Sequence, residues 1–206
     1  MSASRHSDLI DHEKMAEAAR LAHPKMDRRT QRTRQSLHHA LMELIMERGY
    51  DAISVADIAD AANVGRSTFY LHYTDKDDLL RSGLGYLKVM LMHPAAIGGD
   101  ASQLFHFSRF LTEHLKEQRK LYQVMMRTGA GLIIMDNIRL SLCEALRAEL
   151  RTHSGVAPRE IEVQFVVGAY LSVVTWWLDR GAKERPEEID ETFRRMAEGA
   201  LLAARG

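Results

Sequence analysis

The hydrophobic and polar positions of the chain follow the period of amphipathic helices along most of its length. The clearest early stripe lies between residues 27 and 48. There, apolar residues recur at the i, i+3, i+4, i+7 and i+8 spacing of a helix with one buried face: Leu37, Ala40, Leu41, Leu44 and Ile45. Gly49 follows and supplies a stop signal. The periodicity therefore predicts a helix that ends at Arg48.

Two shorter helices, separated by a tight turn, are predicted next. Ser54 followed by Asp57 forms the pattern of a capping box and begins the segment VADIADAA. Residues 63–65, Asn-Val-Gly, then interrupt the helix, because Asn and Gly tolerate left-handed backbone conformations. A helix from Arg66 to Tyr73 follows, with Phe69 as its inward anchor. Two short helices that meet across a tight turn predict a helix-turn-helix motif.

The second of these short helices has an unusual composition, because buried helices favour aliphatic residues and solvated helices favour Glu and Lys. In a helix-turn-helix motif the second helix lies in the major groove of DNA. Arg66 suits guanine or phosphate, Thr68 offers a hydroxyl or a methyl group, and Tyr73 is expected to pack on Phe69. The alternative is a surface helix with incidental polar residues. The DNA-binding residues predicted in and around this motif are Ser54, Gly65, Arg66, Ser67, Thr68, Tyr70, His72 and Lys76, with Lys76 placed for a phosphate.

A cluster of arginines precedes the first hydrophobic stripe. The segment RRTQRTR, residues 28–34, contains four arginines and no acid. Cations at a helix N-terminus oppose the helix dipole, so a solvated helix start is the less favoured explanation. We expect Arg28, Arg29 and Arg32 to contact DNA phosphates.

The remaining chain is predicted to be helical as well. Thr74 to Asp77 has the pattern of a capping box and begins a helix that ends near the Pro- and Gly-containing segment 93–101. Further helices are predicted over residues 102–117, 132–155 and 158–180, with a short methionine-containing segment at 119–131. Pro186 restarts a final helix at its N1 position.

The last two predicted helices carry apolar residues on more than one face. In the helix over 158–180, one stripe contains small residues where another helix can approach, and the opposite stripe (Val163, Val167, Tyr170, Val174, Trp177) is expected to face the chain's own core. Two such helices at a chain end indicate homodimerisation, although both could pack only within one subunit. The predicted dimer-interface residues are Phe165, Gly168, Ser172, Trp176, Phe193, Met196 and Leu201.

A small-molecule pocket is also predicted in the C-terminal part, where Met and aromatic residues could line an adaptable apolar cavity. Plain core packing is the alternative for each of them, and a surface position is the alternative for His106. The candidate ligand-binding residues are His106, Phe107, Tyr122, Met125, Met126, Met135, Tyr170, Val174 and Trp177.

Composition and charge narrow the possible functions. The formal net charge is +0, from 28 Lys and Arg against 28 Asp and Glu, so any affinity for DNA has to come from local clustering. The only cysteine, Cys143, is expected to be a small buried residue in a reducing cytoplasm. No membrane-spanning run, spaced Cys/His metal set, cofactor loop or catalytic constellation is expected.

The motif residues carry a resemblance to a known family. The segment from Thr33 through Leu80, densest in ISVADIADAANVGRSTFYLHYTDKDDLL, resembles the DNA-binding signature of the TetR family of transcriptional regulators. The segment VGAYLSVVTWWLDRGAKERPEEIDETFRRMAEGALL is similar to the last two helices of one C-terminal subgroup. Leu71 departs from the family pattern, which often has an aromatic there, and the arm before Asp27 is longer than expected.

The resemblance implies an all-α protein. It would have a three-helix DNA-binding head at residues 25–74, a helical ligand-binding and dimerisation domain at 75–206, and an N-terminal extension at 1–24. The last two helices would pair with their symmetry mates as a four-helix interface.

The implied function is a homodimeric regulator, usually a repressor. It would leave a palindromic double-stranded DNA operator when a small-molecule effector of unknown identity binds. The alternatives are a ligand-independent regulator or an activator that works through a protein partner, and, more remotely, a small helical enzyme that uses His106 or Cys143.

Overall fold

The computed structural model describes residues 27–92, 104–155 and 157–205. The predicted extension at 1–24 and the predicted break at 93–101 lie outside these residues. Within them the fold is all-α, as predicted, with a single 3-10 turn at Tyr50–Ala52. The helices are α1 Arg28–Arg48, α2 Val55–Ala61, α3 Arg66–Tyr70, α4 Lys76–Met92, α5 His106–Glu117, α6 Arg119–Met126, α7 Ala130–Ser154, α8 Glu160–Asp179 and α9 Pro186–Arg205.

The chain divides into two compact units. The first contains the chain up to Val89 together with Lys120–Asn137, and the second contains Met90–Arg119 and everything from Ile138 onward. Helices α4 and α7 therefore contribute residues to both units. The predicted boundary between residues 74 and 75 stays a prediction.

The core of the first unit is built on the stripe predicted for α1. Leu37, Leu41 and Ile45 are fully buried. They share the core with buried residues of the three following helices: Ile58, Ala59, Phe69, Leu79 and Leu80. Helices α1, α2 and α3 are thus held together by side chains whose spacing is visible in the sequence.

Helix caps fix where α2 and α4 begin. The Ser54 hydroxyl accepts a hydrogen bond from the Asp57 backbone N–H at 3.2 Å, and the Ser54 N–H donates to the Asp57 carboxylate at 2.8 Å, which confirms the predicted capping box. At α4 the predicted box was wrong by one residue. Asp75 accepts from the Asp78 N–H at 2.7 Å, because the helix begins at Lys76 rather than one residue earlier.

Helix α3 is shorter than predicted, since it ends at Tyr70 and not at Tyr73. The turn before it lies where the sequence predicted a break. Asn63 adopts the left-handed conformation with φ 54°, whereas Gly65 has φ −70° and serves as the N-cap of α3. The sequence predicted the position of the turn correctly but not which residue takes the positive φ.

Helices α5, α8 and α9 pack against one another in the second unit. Four buried aromatic residues form its centre, with ring centroids 5.0 to 6.4 Å apart in successive edge contacts: Phe105, Phe107, Tyr170 and Phe193. The Tyr170 hydroxyl donates to the Ser108 carbonyl at 3.0 Å and lies 2.9 Å from the Thr112 hydroxyl. A buried hydroxyl that is bonded in this way does not leave an unpaired polar group in the core.

Two residues predicted to lie at a dimer interface are instead part of this core. Phe193 packs on Phe105 and Tyr170, and Leu201 is also buried within the chain. Both interface predictions were wrong for the same reason. The apolar arc of α9 is wide, and its inner edge faces α5 and α8, so only the outer edge, which includes Met196, is left exposed.

No membrane-spanning run was expected, yet α8 is long and apolar enough to cross a membrane by length and composition alone, a test that a core helix of a soluble protein also passes. Its two stripes divide as predicted. One stripe is buried: Val163, Val167, Tyr170, Val174 and Trp177. The opposite stripe is exposed: Phe165, Gly168, Ser172 and Trp176.

The cap of α2 provides a test of the head. Replacing Ser54 by Ala removes the acceptor for the Asp57 N–H, so we expect the free energy of unfolding to fall by about 1 kcal/mol in chemical denaturation. Ser67→Ala, at an exposed position within α3, should change it by less than about 0.5 kcal/mol. Equal effects of the two substitutions would contradict a stabilising role of the cap.

Candidate nucleic-acid interface

Helix α3 buries one side and exposes the other. Phe69 is fully buried, and its ring packs on Tyr73 with 5.9 Å between centroids, as predicted. Arg66, Ser67 and Tyr70 are exposed, while Thr68 and His72 are half-buried. Because α3 has only five residues, this single hydrophobic anchor determines which side chains point to solvent.

The start of α1 carries exposed positive charge. Arg28, Arg29 and Arg32 are all exposed, and the first turn contains no acid. Arg34 is different, because its Nε donates to the Tyr73 hydroxyl at 2.9 Å and its guanidinium lies 5.1 Å from the ring centroid. Three of the four clustered arginines therefore extend outward, and the fourth packs against Tyr73, three residues beyond the end of α3.

Lys76 does not extend outward as predicted. Its ammonium donates to the backbone carbonyls of Tyr50 at 3.0 Å and Ile53 at 2.9 Å, and it lies 4.4 Å from the centre of the Tyr50 ring. These contacts tie the start of α4 to the turn between α1 and α2. In this arrangement Lys76 is a structural residue of the head.

Ser54 is exposed, but its hydroxyl is already engaged, since it donates to the Asp57 carboxylate at 2.6 Å. The hydroxyl and backbone N–H of Ser54, together with Arg48 at 3.0 Å, lower the pKa of Asp57 to about 2. Asp57 is therefore a carboxylate at neutral pH. A phosphate contact by Ser54 has to be made beside this negative charge.

The first unit also contains a contact between the α1–α2 turn and the start of α7. The Gly129 N–H donates to the Asp51 carboxylate, with distances of 3.0 and 3.3 Å to its two oxygens. A Cβ atom on Gly129 would lie 2.8 Å from Asp51 Oδ1, so a larger residue there would require the Asp51 carboxylate to move. An acid at the N-terminus of a 25-residue helix is also favoured by the helix dipole. This pairing could not be predicted from the sequence, because 78 positions separate the two residues.

The nine candidate ligand residues fall into two groups. Tyr122, Met125, Met126 and Met135 belong to the first unit, where the Tyr122 hydroxyl lies 3.3 Å from Met135 Sδ. The other group belongs to the second unit and is largely buried: His106, Phe107, Tyr170, Val174 and Trp177. Each group is part of its unit's packing, which is the alternative that the sequence left open.

His106 is neither a surface histidine nor free in the core. Its Nδ1 lies 3.2 Å from a Glu149 carboxylate oxygen, and both side chains are almost fully buried. Its Nε2 lies 3.2 Å from the Leu91 carbonyl. Burial disfavours the imidazolium, but the hydrogen-bonding and charge of Glu149 and the Leu91 carbonyl outweigh it and raise the pKa of His106. Sequence reasoning missed Glu149, which resembles an ordinary acid on an amphipathic helix.

One face of α8 and α9 is exposed and apolar. Phe165 and Trp176 are 54% and 47% exposed, and Met196 is 66% exposed. Gly168 and Ser172 lie between the two aromatic residues and are exposed as well. A Cβ atom on Gly168 would meet nothing within 4 Å in the part of the chain that the structure describes. One further exposed residue, Ile161, extends this face and was missed, although it lies four positions before Phe165 on α8 and so continues the helical spacing.

Among the described residues, no group of three His, Cys, Asp or Glu side chains is placed to hold a metal ion. Cys143 is buried, as predicted, and burial raises the pKa of its thiol.

Comparisons with known proteins match both parts of the chain. Residues 37–82 match the family model described as bacterial regulatory proteins, tetR family, and residues 102–199 match a model of a transcriptional regulator C-terminal region. The uncharacterised HTH-type transcriptional regulator YxbF of Bacillus subtilis is 23% identical over 184 residues, which is 82% of this chain. The chain spans only 45% of the length of that relative.

Solved structures share the fold. A TetR transcriptional regulator from Streptococcus agalactiae superposes with a TM-score of 0.63 and 24% identity, covering 83% of this chain and 96% of that one. Thermus thermophilus FadR, a TetR-family repressor solved in complex with lauroyl-CoA, superposes with a TM-score of 0.54 and 21% identity, covering 80% and 92%. At these identities the likeness concerns the fold alone.

The placement of Lys76 predicts a stability defect rather than a simple loss of surface charge. Lys76→Met keeps the aliphatic stem but removes the donor to two carbonyls, so we expect the free energy of unfolding to fall by about 1–3 kcal/mol. Arg66→Ala, which removes an exposed cation, should change it by less than about 0.5 kcal/mol. Chemical denaturation of both variants measures the difference. If Lys76→Met left the free energy of unfolding unchanged, the structural role would be wrong and the predicted phosphate contact would be the favoured role of Lys76.

Proposed function

Since this chain belongs to the tetR family of bacterial regulatory proteins, we propose that it is a homodimeric, cytoplasmic regulator of transcription that binds double-stranded operator DNA. The regulator is released from its operator by a small-molecule effector and acts as a repressor. The observation that carries the proposal is the two-sidedness of α3, which buries Phe69 and exposes Arg66, Ser67 and Tyr70. A helix of this kind is what a major groove requires.

The division of labour among the polar residues follows from their position. Arg66, Ser67 and Thr68 are the first residues of α3, and the N-terminal residues of a recognition helix contact base edges. Tyr70 and His72 contact base edges or the phosphate rim. Exposed Arg28, Arg29 and Arg32 bind phosphates and supply affinity without sequence preference.

Dimerisation is supported by the exposed face of α8 and α9. Aromatic residues separated by a glycine and a serine allow a helix of a second subunit to come close, and a two-fold axis brings the same face of both subunits together. A dimer then presents two recognition helices to half-sites about 34–36 Å apart, or a multiple of a helical turn. The operator is accordingly palindromic.

Effector binding has to favour a dimer geometry in which the two heads no longer match one DNA duplex, because only a difference in affinity between two states can shift their populations. The Asp51–Gly129 contact is one route for such coupling. It links the α1–α2 turn to the first residue before α7, and α7 continues into the second unit. The lauroyl-CoA complex of T. thermophilus FadR supports a search for the effector among acyl thioesters.

Substitutions on α3 and α1 should affect DNA binding in different ways. Arg66→Ala and Thr68→Ala are expected to weaken binding to an operator selected from random DNA by about tenfold and to relax its sequence preference, because they remove base contacts. Arg28→Ala should weaken all sequences about equally and flatten the salt dependence by about one unit of log–log slope. Fluorescence anisotropy at several salt concentrations measures both effects.

Arg151→Ala serves as a control for loss of one exposed arginine outside the head, and it should leave both quantities unchanged. If Arg66→Ala and Thr68→Ala retained the affinity and the sequence preference of the parent protein, α3 would not be the recognition helix.

A charge on the exposed apolar face should disrupt the dimer. Phe165→Glu places a carboxylate where the other subunit's α8 or α9 approaches, so we expect a monomer in sedimentation equilibrium at micromolar concentration and loss of operator binding. Leu132→Glu changes an equally apolar side chain that is 82% exposed in the first unit and should leave the dimer intact. A Phe165→Glu variant that still sediments as a dimer would place the interface elsewhere.

A further inference from the structure

We propose that Leu71 is a specificity-determining residue that contacts the 5-methyl group of a thymine in the major groove. The inference rests on the proposed function, because it requires α3 to bind DNA, and it names a feature of the operator that the proposed function leaves open. Leu71 follows the last residue of α3 and was noted in the sequence only as a departure from an aromatic pattern.

The exposure of Leu71 is the first observation. Its side chain is 80% exposed, and the neighbouring Tyr70 is 59% exposed. In the described part of the first unit, the exposed large hydrophobic residues are these two and Leu132. Isolated exposed leucines are ordinary, but two adjacent exposed side chains with large apolar surfaces, the last residue of α3 and its C-cap, lie where DNA is expected to bind.

Backbone geometry places Leu71 on the same face as the base-contacting residues. Leu71 is in the right-handed helical conformation, and its N–H donates to the Ser67 carbonyl at 3.1 Å. It therefore continues the helix by one residue and lies one turn beyond Ser67. Side chains four positions apart lie on one face of a helix, so Leu71 and exposed Ser67 point in a common direction.

The chemistry of the groove identifies the group that a leucine would meet. The edges of the base pairs in the major groove present hydrogen-bond donors and acceptors, and the one apolar substituent among them is the C5-methyl of thymine. A contact with the phosphate rim is the alternative. A leucine there would displace water from the phosphate oxygens and offer no hydrogen-bond donor in its place. Apolar contact with a thymine methyl is the arrangement that removes both hydrocarbon surfaces from water.

The expected size of the effect is small and measurable. Burial of one methyl group contributes about 0.8 kcal/mol, which corresponds to about a fourfold change in the dissociation constant per contact. A symmetric operator contains two such thymines, so removal of both methyl groups should weaken binding by about 15-fold.

The experiment uses the full-length protein and DNA selected by it from a random-sequence library. Each thymine of the selected duplex is replaced in turn, at symmetric positions, by 2′-deoxyuridine, which differs only in lacking the methyl group. We expect one or two positions per half-site at which the replacement weakens binding of the parent protein. Leu71→Ala should bind the thymine and deoxyuridine duplexes equally at those positions, whereas Leu71→Met should keep a preference for thymine.

Two further variants identify the side chain responsible. Leu132→Ala, which truncates an exposed leucine outside the head motif, should retain the full sensitivity to deoxyuridine. Tyr70→Ala should retain it at the positions that Leu71→Ala abolishes. The assignment to Leu71 would be wrong if Tyr70→Ala removed the sensitivity and Leu71→Ala did not. It would also be wrong if Leu71→Ala lowered the affinity for both duplexes by the same factor and so kept the preference for thymine.

The outcome also separates this inference from the proposed function. A parent protein that selects an operator but has no deoxyuridine effect dependent on Leu71 contradicts the inference alone. A parent protein that enriches no DNA sequence contradicts the proposed function and the inference together.

Discussion

The burial of Phe69 is the contact on which the DNA-binding head depends. Helices shorter than about 12 residues are marginal in water on their own, and α3 has five residues. Its conformation therefore comes from packing, and full burial of one phenylalanine contributes about 1.5–3 kcal/mol. Tyr73 extends the same anchor, since its ring packs on Phe69 and its hydroxyl accepts a hydrogen bond from Arg34 of α1. The outward direction of Arg66, Ser67 and Tyr70 is a consequence of this packing.

Two charged side chains, Lys76 and Asp51, connect the turn between α1 and α2 to other helices of the first unit. Each binds backbone groups rather than an opposite charge. The Lys76 ammonium donates hydrogen bonds to the carbonyls of Tyr50 and Ile53 in the α1–α2 turn, and the Asp51 carboxylate accepts one from the N–H of Gly129. The 3-10 turn at Tyr50–Ala52 is thus attached to α4 on one side and to the start of α7 on the other. The same turn leads directly into the cap of α2, and α3 follows α2, so only a short length of chain joins the turn to α3.

Local features of the fold could be predicted from the sequence, and partners across long separations could not. The α1 stripe, the Ser54 cap and the two faces of α8 depend on neighbours within a few residues, where spacing and propensity suffice. Lys76 was misplaced because its acceptors are backbone carbonyls more than 20 positions away, which have no signature in the sequence. The sequence shows how many positions around α9 are apolar, but it does not show which of them are buried and which are exposed. The separation of buried Phe193 from exposed Met196 was therefore settled by α5 and α8.

The exposed stripe of α8 suits a protein partner better than a lipid bilayer, although α8 alone has the length and composition of a membrane span. Its neighbour α9 exposes Glu191, Arg195 and Glu198 together with Met196. Charged side chains at the centre of a bilayer cost several kcal/mol each, whereas a helix interface can leave them at a solvated rim around an apolar centre. Small residues at Gly168 and Ser172 also favour close helix contact, which lipid chains do not need. In the proposed dimer, the same stripe of a second subunit would cover the exposed apolar side chains of both helices.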